Sequence, residues 1–155
     1  MSLEYKRNTL VVADYERSLR IYRDILGFSV NYIKRSASDS YSYPVFNIPP
    51  EGEATFIALD SPSQERTFAL TEVKGISLPK QTGPRMSVSV IKIKDLKRAI
   101  LKIEALGLET LDLITDRTDD LTYIEQAFID FDGHLILLYQ LIEKNYRKPF
   151  IDEGV

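Results

Sequence analysis

The chain has 155 residues, no cysteine, one histidine and a net charge of -3, with both charge signs well represented. That size implies one domain able to bury roughly two-thirds of its unfolded surface, and the mild acidity argues against a nucleic-acid partner, whose phosphates call for a basic surface. There is no thiol for a disulfide or a nucleophile, no apolar run approaching a membrane span, and no apolar stretch of a secretion signal at the N-terminus, so a cytoplasmic location is expected.

In chain order, residues 7–13 are β-branched and alternating and predict a strand. Asp14 follows as a helix cap, and Leu19, Tyr22, Ile25 and Leu26 recur at three- and four-residue spacing as one apolar stripe. Gly27 supplies the stop. Strands are then predicted over 28–34, 40–47 and 54–60, with a turn at Pro49-Pro50-Glu51-Gly52 before the last. The stretch 62–84 is broken by Pro62, Gly75, Pro79, Gly83 and Pro84 and reads as a linker, with room for one extra strand pair. Residues 85–94 restart the cycle as a strand. Asp95 caps a second helix with a stripe of Leu96, Ala99, Ile100, Ile103 and Leu106, and Gly107 ends it. Strands follow near 109–114, 122–129 and 134–142, then a polar tail carrying Pro149-Phe150-Ile151.

The same unit therefore occurs twice: module one over about 5–61 and module two over about 85–142, joined by the linker of about 62–84 and followed by the tail 143–155. Helices separated by three strands exclude a doubly wound parallel sheet, which needs strict alternation. The fold class is α+β, two βαβββ modules forming a curved mixed sheet around a central cavity.

Val12-Ala13-Asp14-Tyr15-Glu16-Arg17-Ser18-Leu19, continuing through Tyr22 to Leu26-Gly27-Phe28, resembles the first helix of the vicinal oxygen chelate superfamily, which spans glyoxalase I, bleomycin-resistance proteins and extradiol dioxygenases. Asp130-Phe131-Asp132-Gly133-His134 is similar to the turn before that family's last strand, with Phe131 in place of the usual proline. The resemblance implies metal ligands on the first and last strand of each module. Those positions fall at Arg7, Ala58, Val88 and Leu137, where the family pattern has His, Gln or Glu. Neither this set nor a lone histidine makes a zinc or non-haem iron centre, so no metal and no other cofactor is expected.

Strand parity places Arg7, Thr9 and Val11 on one face and Leu135, Leu137 and Tyr139 on another, with His134 turned away as a structural residue beside the turn. A buried guanidinium requires a carboxylate or an anionic ligand, so Arg7 either pairs with Asp60, anchors an anion, or snorkels to the rim. Tyr32, Tyr41, Tyr43 and Phe46 cluster in the middle strands of module one and suit a pocket wall, and Tyr123 and Tyr139 raise the same choice in module two. Thr115-Asp116-Arg117-Thr118-Asp119-Asp120 lacks the glycine and terminal glutamate of a calcium loop and reads as a solvated turn.

The expected ligand-binding set is thus Arg7, Thr9, Tyr41, Tyr43, Phe46, Ala58, Asp60, Val88, Leu137 and Tyr139, with no catalytic residue assigned. The resemblance implies a protein that binds or sequesters a small organic molecule in an apolar, aromatic-lined pocket without metal. The alternative is a lyase, isomerase or dioxygenase-like enzyme with a rearranged site, drawing ligands from Asp60, Glu125 or a second chain. A homodimer is implied by the resemblance alone.

Overall fold

In the computed structural model, which describes residues 1–144, strand β1 (Asn8–Val12) leads into helix α1 (Tyr15–Tyr22). The extended Asp14 accepts the Arg17 amide proton at 3.2 Å, satisfying one of the donors a helix start leaves unpaired. Ser18, Leu19, Ile21 and Tyr22 are buried. Ile25 and Leu26 lie past the helix end in the turn, still packed on the core, and Gly27 at φ 91° lets the chain reverse.

Strand β2 (Ser29–Arg35), a short helix α2 (Ser42–Val45), β3 (Glu53–Ser61) and β4 (Gln64–Lys74) complete the first module. Two expectations change here. The predicted strand over 40–47 is a turn and one helical turn: Pro44 has no N–H for a ladder, and Ser40 Oγ accepts the Ser42 amide at 3.2 Å. The predicted linker contains β4, the longest strand of the described residues. It pairs in parallel with β1 and antiparallel with β3, so module one runs through Lys74. The prolines and glycines that suggested a linker flank this strand rather than interrupt it.

The second module repeats the plan with β5 (Ser89–Lys92), α3 (Leu96–Ala105), β6 (Ile114–Arg117), β7 (Leu121–Ile129) and β8 (Leu135–Lys144). Asp95 accepts the Arg98 amide at 3.1 Å as predicted. The strand expected over 109–114 shrinks to one bridge, Thr110 to Phe128, and pairing begins at Ile114. The acidic run after it splits between β6 and the exposed turn that follows. The tail with Pro149-Phe150-Ile151 lies outside the described residues.

The first sheet has the order β1-β4-β3-β2 and the second β5-β8-β7-β6, each with one parallel pair. They are separate four-stranded mixed sheets that do not close on each other, and the α+β, two-module reading holds. One core serves both: Leu10, Tyr22, Leu59 and Leu70 from the first module cluster with Leu96, Ile103, Phe128 and Ile136 from the second. Each such side chain, once buried, contributes about 1.5–3 kcal/mol. Among the described residues no helix is long and apolar enough to cross a membrane.

A turn of the second module fastens it to the first. Asp132 Oδ1 accepts the Ala13 amide at 2.9 Å and Arg17 Nη2 at 3.1 Å, and Asp130 Oδ2 accepts the buried Tyr22 hydroxyl at 2.7 Å. His134 Nε2 lies 2.6 Å from the Val11 carbonyl, and since a carbonyl only accepts, the ring N–H donates. The ring of the lone histidine thus joins the second module to the β1 backbone.

Candidate functional site

Strand register decides which side chains meet. Leu10, Phe68, Leu70, Ile57 and Leu59 face α1, so their neighbours in sequence face the other way. On that opposite face Thr9, Ala69, Ala58 and Tyr32 form one row, and Val11, Thr71, Phe56 and Lys34 the next, buried at the sheet centre and opening towards β2. Arg7, two residues before Thr9, joins the same face: its guanidinium carbon stands 5.9 Å from the centre of the Phe56 ring. Tyr32 and Phe56 meet as a tilted ring pair, 5.8 Å between centroids.

Four of these residues line an open cleft of about 780 Å³. Arg7, Tyr32, Lys34 and Phe56 come from the sheet; Arg35, Ser36 and Ser40 come from the end of β2 and the loop after it, and Ser42 opens α2. The volume is in the range of small-molecule sites. The wall is aromatic at the base, hydroxylated at one side and cationic, rather than simply apolar as expected from the sequence.

Of the predicted site residues, Arg7 lines the cleft. Its Nε donates to the Arg66 carbonyl at 3.2 Å, and Asp60 does not pair with it. Asp60 instead accepts Asn31 Nδ2 at 3.0 Å and the Arg66 amide at 2.7 Å, holding the turn between β3 and β4. Ala58 has the predicted facing but is fully buried and does not reach the cleft. Thr9 borders a second hollow beside Gln81, Met86 and His134. Tyr41 is exposed on α2's cap, the Tyr43 hydroxyl accepts the Ala54 amide at 3.3 Å, and neither they nor Phe46 line the cleft.

Val88, Leu137 and Tyr139 belong to the other module. Leu137 pairs with Val90 and Ala127, and Tyr139 stacks edge-on with Tyr123 at 6.1 Å. Val88 also lines the hollow that Thr9 borders, so the set read from the sequence is divided among the cleft, that hollow and the second sheet. Lys34, Phe56 and the three serines were missed. Parity could have found Phe56, two residues from Ala58, and Lys34, two from Tyr32; Ser40 and Ser42 sit on a segment misread as a strand, and Ser36 lies in the gap between two predicted strands.

The four strand positions that the resemblance assigns to metal ligands do not fit a metal. Arg7 is a cation, Ala58, Val88 and Leu137 have no donor atom, and His134 is engaged by a backbone carbonyl. Among the described residues no three His, Cys, Asp or Glu side chains are grouped to hold an ion.

A model of the Glyoxalase/Bleomycin resistance protein/Dioxygenase superfamily matches residues 5–138. No curated protein matches the chain by sequence. Solved structures do match in fold. A glyoxalase family protein from Bacillus cereus superimposes with a TM-score of 0.73 at 10% identity, covering 92% of this chain and 97% of its own. A glyoxylase/bleomycin resistance protein/dioxygenase domain from Frankia sp. EAN1pec gives 0.64 at 15% identity, over 94% and 96%. The fosfomycin resistance protein FosX from Listeria monocytogenes gives 0.58 at 19% identity, over 89% and 93%.

Proposed function

We propose that this chain, which belongs to the Glyoxalase/Bleomycin resistance protein/Dioxygenase superfamily, binds or sequesters a small organic molecule without a metal ion. The observation that carries the reading is the cleft on the first sheet: an aromatic pair and a hydroxylated rim stand where a ligand could be held, while the ligand positions of metal-binding relatives carry no usable donor. Aromatic side chains with polar neighbours bind by burying the ligand's apolar body and fixing its orientation through a few hydrogen bonds. Resistance proteins share the fold, and the fold alone does not set the chemistry.

The test combines metal content and binding. Protein purified without chelators or metal-affinity resin is analysed by elemental mass spectrometry, then screened against a fragment library by NMR in the presence of EDTA. The expected result is substoichiometric metal and fragments that shift the Tyr32 and Phe56 signals with EDTA present. One tightly held transition metal per chain, or binding abolished by EDTA, would overturn the reading.

The same reading extends to a homodimer. The open face of the second sheet leaves Val90 and Ile114 more than half exposed, at 56% and 55%, beside Val88 at 44%. A second copy laid against that face would take this apolar surface from water.

A further inference from the structure

We infer that the cleft on the first sheet takes an organic anion, a small molecule that joins an aromatic or apolar body to an oxyanion group such as a carboxylate or phosphate. This rests on the small-molecule reading above and adds the charge class of the ligand. Three cationic side chains, Arg7, Lys34 and Arg35, line the cleft, and among the described residues no aspartate or glutamate does, although acids outnumber bases in the chain as a whole. Among the described residues Arg7 and Lys34 make no ion pair, and beyond its Nε the Arg7 fork has no protein partner. Arg35 reaches Glu53 at 3.0 Å, but both ends of that pair are largely exposed, so the contact is weak and exchangeable.

Lys34 lies directly opposite Phe56 in the ladder and Arg7 stands over the same ring, which gathers two like charges around one aromatic side chain. An oxyanion between them would relieve that repulsion. It would accept the planar donor pair that Arg7 keeps free and the point charge of Lys34. The Tyr32–Phe56 pair then meets the apolar body, and the hydroxyls of Ser36 and Ser42 lie within the same wall.

Isothermal titration with three probes, 1-naphthyl phosphate, 1-naphthol and inorganic phosphate, all in EDTA, tests this. The expected result is one site per chain for 1-naphthyl phosphate, about tenfold or more tighter than for either other probe, weakening as sodium chloride is raised. The R7Q/K34Q double variant, checked for native circular dichroism, should lose about tenfold or more of that affinity. The K97Q/R98Q control, which removes two cations from the start of α3, should lose none. Equal binding of 1-naphthol and 1-naphthyl phosphate would overturn the anion inference and leave the small-molecule reading standing. So would full affinity in R7Q/K34Q, or an affinity for 1-naphthyl phosphate that ignores salt. If none of the three probes bound, both would fall.

Discussion

Tyr22 and Asp130 show how one buried hydrogen bond can tie two modules. Burial first, and the neighbouring Asp130 carboxylate next, hold the Tyr22 phenol well above its ordinary value of 10.0, so it stays a donor. Tyr22→Phe removes that donor from a carboxylate that is itself only 4% exposed. We expect about 1–3 kcal/mol of lost stability, read as a lower urea midpoint with an unchanged slope. Asp132 offers a test of sign. Its burial raises the carboxyl above the usual 3.8; the Ala13 amide opposes the rise, Asp130 adds to it, and Arg17 and His134 oppose it. A carboxyl raised in the folded state binds its proton more tightly there than in the unfolded chain. Stability relative to Asp132→Asn should therefore grow as pH falls through the folded-state value, and level off below the unfolded one. Urea unfolding of both proteins at pH 7 and pH 4 measures this; a difference moving the other way would mean that the Arg17 pair outweighs burial.

At the level of elements, the two helix starts are the clearest legible feature. Asp14 and Asp95 each accept the amide three residues on, and Asp14→Ala or Asp95→Ala should each cost about 1 kcal/mol, seen as a lower thermal midpoint. Strands were less legible where their signal was masked by neighbours. Residues 64–74 alternate too little to announce a half-exposed strand because β4 sits between β1 and β3, and from Phe68 to Val73 both of its faces are buried. Residues 40–47 carry aromatic and β-branched side chains that imitate a strand, and Pro44 is the feature that should have decided against one. This misreading moved the expected pocket wall to Tyr41, Tyr43 and Phe46, away from the serines that line the cleft.

For the molecule as a whole, the exposed apolar face of the second sheet leads to a prediction about assembly. Light scattering coupled to size exclusion at micromolar concentration should report a dimer, and Val90→Asp, which places a charge on that face, should shift it towards monomer with the fold intact. A monomeric parent protein would dispose of the homodimer. Asp caps, apolar stripes, glycine stops and the turn at Asp130 were readable along the chain because each is a local device, set by neighbours within about one helical turn or one tight turn. The repeated module followed from them, whereas the four strand positions compared with metal ligands came from the resemblance to the superfamily. Which face of which strand meets which was settled only in three dimensions. Arg7 and Phe56 are far apart in sequence, and a ladder registered one residue differently would have turned Phe56 towards the core and its neighbours towards the cleft. Pairing register and the packing of two sheets on one core are cooperative properties of the folded chain, and they decided that Arg7, Lys34 and Phe56 line one cleft while Ala58 lies buried and Asp60 holds a turn.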